Sequence, residues 1–136
     1  MKTLFPLVIT PRGADAVAFY RDLFGMTVVA DIGWYVHLQQ PDNPSMQLAF
    51  IEPGHDSVPG SHRAEPGGVV ITLEVDDVDE LHARATEMGA PIHVPLRDEE
   101  WGQRHFITED PTGLMVDVVT PIAPSPAFLA QLSAAR

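Results

Sequence analysis

The order in which hydrophobic periods follow one another constrains this chain more than any single motif. A β-branched and apolar run at residues 3–10 stops at Pro11 and reads as a strand. The spacing then changes. Val17, Tyr20, Leu23 and Phe24 fall on one face of a helix over Gly13–Phe24, and Gly25 stands where a C-terminal cap belongs. Three strand-like runs follow, Thr27–Asp31, 34–39 and 46–51, separated by Gly33 and by the breaker cluster Pro41-Asp42-Asn43-Pro44. Residues 52–68 are polar and rich in proline and glycine, the composition of a linker or mobile loop. The same order then starts again. Residues 69–75 read as a strand, Asp77 and Glu80 have capping-box spacing, Val78, Leu81, Ala85 and Met88 form an apolar stripe, and Gly89 closes the helix. A short strand at 92–94 and a hairpin complete a second β-α-β-β-β series.

The hairpin has a mechanism written into it. Its turn is Asp110-Pro111-Thr112-Gly113: proline presets the second position and glycine tolerates positive φ at the fourth. The flanking runs, 103–108 and 114–119, alternate polar with apolar residues, so the sheet has two unlike faces. A half-exposed sheet covered on one side by a helix, made twice, predicts an α+β fold. Two βαβββ modules, at about 3–52 and 68–120, form a curved sheet around a cupped cavity in one domain, followed by a tail at 121–136. In that tail, prolines precede an apolar helical patch of Phe128, Leu129 and Leu132, which predicts docking on the same domain or on a partner chain.

Charge and composition exclude several functions. The 136 residues carry 8 Lys and Arg against 19 Asp and Glu, a formal charge of −11. That field repels phosphate backbones and anionic lipid, so neither nucleic acid nor a membrane surface is expected as a partner. Cysteine is absent, which removes disulfides, thiolate nucleophiles and zinc-thiolate sites. No signal peptide and no membrane-spanning run is read, and a cytoplasmic location is expected. The chain has no glycine-rich phosphate loop, no nucleophile elbow and no paired His-Glu helix motif. The acidic run Asp76-Asp77 and Asp79-Glu80 reads as carboxylates favoured at a helix N-terminus. His55, His62, His82 and His93 are expected at the surface.

Three segments, AFYRDLFGM, LEVDDVDELHARATEMGA and WGQRHFITEDPTGLMVDVV, occur in an order that resembles the vicinal oxygen chelate superfamily. This is the group of glyoxalases, bleomycin-resistance proteins and ring-cleaving dioxygenases, and the likeness covers roughly residues 3 to 120. It implies that four positions point into the cup, where metal-dependent members hold His or Gln and Glu. Here they are Phe5 and Val70 on the first strand of each module, and Gln47 and Asp117 on the last. Phe5 and Val70 cannot bind a metal, and a one-residue shift offers only Leu4 or Pro6, and Val69 or Ile71. The resemblance thus implies no metal centre of the usual kind and no cofactor.

Strand alternation adds Leu7 to the face of Phe5, and Met115 to that of Asp117. The resemblance adds Tyr35, His37, His105 and Ile107, with Trp101 at the cavity mouth. An apolar and aromatic lining with few polar anchors suits a sizeable, flat ligand. The leading expectation is a non-catalytic binding protein of the bleomycin-resistance type that sequesters an aromatic, in one version cationic, antibiotic and works as a homodimer. The alternative is a glyoxalase- or dioxygenase-type enzyme with a displaced metal site built from His37, His105 and Asp117. A metal-free variant of it would use a histidine as base, oriented by Asp117.

Overall fold

A computed structural model describes residues 1–65 and 67–135. The chain folds as two compact units, Met1–Val69 with Asp110–Leu114, and Val70–Glu109 with Met115–Arg136. Among the described residues they hold two four-stranded mixed sheets and three α-helices, an α+β fold with the two-module order expected. Among the described residues no helix is long and apolar enough to cross a membrane.

The first unit contains β1 (Leu7–Ile9), α1 (Gly13–Phe24), β2 (Thr27–Asp31), β3 (Tyr35–Gln40) and β4 (Asn43–Ile51), with sheet order β1-β4-β3-β2. β1 runs parallel to β4 and is shorter than expected. β4 is longer, for it takes in Asn43 and Pro44 from the breaker cluster. The buried side of α1 consists of Ala16, Phe19, Tyr20 and Leu23, a stripe rotated from the one expected. Val17 and Phe24 are only half-buried, because Tyr20 turns its ring towards Phe50, 5.9 Å away, and sets the helix roll. Val8, Leu38, Leu48 and Phe50 complete this core from the sheet, each contributing about 1.5–3 kcal/mol on burial. Gly25 ends α1 at φ 69° and donates its N–H to the Arg21 carbonyl.

The 52–68 segment is more structured than a plain linker. It carries a 3-10 turn at Gly60–His62, buries Val58, and stacks His55 flat on Trp34 with ring centroids 3.5 Å apart. His55 is thus half-buried rather than exposed. The hairpin turn also belongs to the first unit. Asp110 is buried, and its carboxylate accepts from the Thr112 N–H and hydroxyl, the Leu114 N–H and, at 2.7 Å, the Tyr20 hydroxyl. Four donors replace the lost water, so the charge is held rather than stranded. Burial and the Asp110 charge push the Tyr20 phenol far above its ordinary pKa.

The second unit contains β5 (Val70–Glu74), α2 (Val78–Glu87), β6 (Ile92–Glu99), β7 (Gln103–Glu109), β8 (Met115–Pro121) and α3 (Pro126–Ala134), with sheet order β5-β8-β7-β6. Val78 and Ala85 of α2 are buried, as are Phe106, Val116 and Val118 of the sheet, while Met88 lies exposed beyond the helix. His82 meets the Phe106 ring edge-on at 5.1 Å and is half-buried, not a surface residue. The capping box is half formed. Asp77 accepts from the Glu80 N–H, but the Glu80 carboxylate pairs with Arg84. Asp79 binds Arg104 through both oxygens, so the acidic run serves the helix and an ion pair. β6 extends well past residue 94. It passes Pro95 with two register shifts, the usual accommodation for proline in an edge strand. α3 has Ser125 as its N-cap and no buried residue, with Leu129 and Leu132 exposed.

Candidate functional site

Alternation along the strands separates each sheet into a helix-facing side and an open side. In the first sheet Val8, Leu38, Leu48 and Phe50 face α1. Leu7 pairs with Ala49, Ala49 with His37, Tyr35 with Ile51 and Gln39 with Gln47, so Leu7, Tyr35, His37 and Gln47 share the open side. Phe5 lies just before β1 and packs its ring on His37 with centroids 4.7 Å apart. All five expected residues of the first module are therefore gathered on one face.

They are tied by a chain of neutral groups. The Tyr35 hydroxyl lies 2.7 Å from His37 Nδ1, and His37 Nε2 lies 2.9 Å from Gln47 Oε1. Gln47 donates its amide N–H to the Pro44 carbonyl at 2.9 Å, which turns its oxygen towards the histidine. In the neutral ring the proton therefore sits on Nε2, and Nδ1 accepts from Tyr35.

In the second sheet Phe106, Val116 and Val118 face α2. Val70 pairs with Met115 and Ile107 with Asp117, and His105 shares the open side with them. Trp101 stands edge-on to His105, centroids 6.0 Å apart, and donates its indole N–H to Gln103 at 2.8 Å. Gly102 beside it has φ +99°, and a Cβ there would lie 2.9 Å from the Ile122 carbonyl oxygen, so only glycine allows the chain to pass. The six expected residues of the second module also gather on one face.

The polar groups of this face are charged. His105 is buried; its Nδ1 lies 2.7 Å from Asp117 Oδ1 and its Nε2 3.0 Å from Glu99 Oε1. Arg97 Nε lies 2.5 Å from the same Glu99 oxygen. An ionised carboxylate only accepts, so both imidazole nitrogens must carry protons and the ring is a cation. Burial opposes that charge, but the hydrogen bonds and charges of Glu99 and Asp117 outweigh it and hold the His105 pKa above its ordinary value. Hydrogen bonds from His105 and then Arg97 hold Glu99 below the usual carboxylate range. Two cations and two anions compensate one another.

This cluster decides what Asp117 can do. A half-buried carboxylate on the open side requires either a ligand cation or a local donor, and His105 supplies the local donor. Glu99 and Arg97 were missed by sequence reasoning because Pro95 hid the continuation of β6. Residues 96–100, Leu-Arg-Asp-Glu-Glu, carry no polar-apolar alternation that would have revealed them.

The donor set of the metal-dependent relatives is not reproduced. Phe5 and Val70 have no donor atom, Gln47 is spent on His37 and Pro44, and Asp117 on His105. Among the described residues no group of three His, Asp or Glu side chains converges as a metal would require. The displaced set fares no better, since both ring nitrogens of His105 are already protonated and bonded.

Known proteins share this architecture. An uncharacterized protein of Mycobacterium bovis, Mb0911c, is 30% identical over 123 residues, spanning 81% of this chain and 77% of the relative. A solved structure from Sphaerobacter thermophilus, described as a member of the glyoxalase/bleomycin resistance protein/dioxygenase superfamily, superposes with a TM-score of 0.71 at 25% identity, over 88% of this chain and 97% of that one. TnmS3, an antibiotic binding protein from Streptomyces sp. CB03234, superposes with a TM-score of 0.68 at 22% identity, over 89% and 96%. Residues 4–118 match the Glyoxalase/Bleomycin resistance protein/Dioxygenase superfamily as a whole. The chain belongs to that superfamily.

Proposed function

We propose that this protein binds and sequesters a flat, aromatic small molecule of the antibiotic type without altering it, and that it acts as a homodimer. The observation that carries this reading is the His105 clamp. A base needs a free lone pair, and His105 has none while Asp117 and Glu99 both hold its protons. What the open sides offer is contact surface: Leu7, Val70, Trp101 and Met115 are each between 43% and 47% exposed, beside the half-buried rings of Phe5 and Tyr35. The antibiotic-binding neighbour TnmS3 supports the same class of function. A cation in the ligand is helped by the charge of −11, but it does not find a free anchor in Asp117.

Calorimetry against a panel of glycopeptide, quinone and enediyne-type compounds tests the reading. We expect at least one to bind more tightly than millimolar and be recovered unchanged. No binding by any member contradicts the proposal, as does turnover of the bound compound. Metal content of protein purified without chelator tests the enzyme alternative, and a stoichiometric divalent ion would restore it.

A further inference from the structure

At the edge of the open face, with which it shares Tyr35, the first unit has a concavity of about 280 Å³ between the start of α1, the β2–β3 turn and the end of β4. We propose that it is a second binding site, for a small organic cation such as a quaternary ammonium group.

Its walls are aromatic and apolar, from Trp34, Tyr35, Phe50 and Val17, and its charged lining residues are Asp31 and Glu52. No lysine or arginine lines it. The Asp31 carboxylate is held by the backbone of its own turn. Asp31 accepts the Gly33 N–H at 2.9 Å through Oδ1, which leaves Oδ2 for a ligand, and Gly33 has φ +88°, so the turn is built for glycine. Glu52 donates its backbone N–H to the Trp34 carbonyl at 2.9 Å, which ties the two main-chain segments of the wall together. Trp34 in turn is seated on His55, whose ring lies within 6° of parallel. The Ser57 N–H donates to His55 Nδ1, so the imidazole that supports the tryptophan is itself held in place. An indole beside two carboxylates in a concave wall is the arrangement that attracts a weakly hydrated cation.

The start of α1 argues the other way and must be weighed. Gly13 and Ala14 border the concavity, and the helix has no side-chain cap, so its positive pole lies near the site. That pole amounts to about half a unit charge, and the neighbouring Arg12 is paired with Asp15 at 3.6 Å, against two full carboxylates in the lining. The balance remains negative, and the charge of −11 adds to it at long range.

Choline and its uncharged carbon isostere, 3,3-dimethyl-1-butanol, separate charge from shape. Each is titrated into the intact protein at physiological salt and followed by amide and indole NMR shifts. We expect choline to shift Gly33, Glu52 and the Trp34 indole N–H saturably, and the isostere to bind about tenfold more weakly or worse. Asp31→Asn with Glu52→Gln keeps the Gly33 hydrogen bond available and is expected to weaken choline by about tenfold or more. Equal affinity for the isostere, unchanged affinity in the double variant, or choline shifts confined to His37 and His105 would each overturn the site. None of these outcomes depends on the open-face ligand, so the two readings fail separately.

Discussion

The two open faces are built on one plan and carry opposite electrostatics. In each module a histidine sits on the third strand and an oxygen acceptor on the fourth, His37 with Gln47 and His105 with Asp117. On the first sheet the acceptor is an amide and the far side of the ring meets a phenol, so neither partner of the ring is a carboxylate. On the second the acceptor is a carboxylate and the far side meets another, so the ring is a cation between anions. Equal backbones thus give one chain of hydrogen bonds without a carboxylate and one cluster locked by charge. The difference lies in two contacts: Asp117 on the fourth strand where the first module has Gln47, and Glu99 reaching the far side of the ring from the second strand, where His37 meets Tyr35 of its own strand.

Breaking the locked side should cost most. His105→Ala removes the cation that Asp117 and Glu99 share and leaves only Arg97 on Glu99, and about 3 kcal/mol of stability is expected to be lost in urea unfolding. A loss below that of His37→Ala would refute the contrast. Asp117→Asn converts the second face towards the first. About 2 kcal/mol is expected to go at neutral pH, with the His105 pKa moving down towards its ordinary value in an NMR titration.

The contrast also has a pH signature. His105 has a folded pKa above its unfolded one, so its contribution is complete below the unfolded value and is lost as pH rises through the folded value. Unfolding midpoints of the wild type should therefore fall as pH rises above the ordinary histidine range, and His105→Gln should flatten that slope. An identical slope in the variant would assign it elsewhere. Tyr35→Phe removes one neutral hydrogen bond and is expected to cost about 1 kcal/mol. Arg97→Gln should be the mildest change. Its side chain is 54% exposed, and no measurable shift of the urea midpoint is expected.

Much of this fold was legible because periodicity and capping are local. The switch to helical spacing before Gly25 and Gly89, and the turn at Pro111 and Gly113, correspond to elements that exist. The open faces were legible for the same reason, since alternation alone puts Leu7 with Phe5, and Met115 with Asp117. What escaped depends on contacts between distant residues. Tyr20 meets Asp110 across 90 positions, His55 leaves its loop to cover Trp34, and neither is visible in a window of sequence. The roll of α1 followed Tyr20 rather than the hydrophobic count, and Glu99 lay behind a proline that reads as a stop. Hence which residues share a strand face was legible, while the contacts that hold the His105 ring between two carboxylates were not.

That protonation can be observed directly. Nitrogen-15 NMR of the His105 ring at neutral pH should find both nitrogens carrying protons, and they should stay so above the pH at which an ordinary histidine deprotonates. A free lone pair on either nitrogen at neutral pH would contradict the account and return His105 to the list of candidate bases.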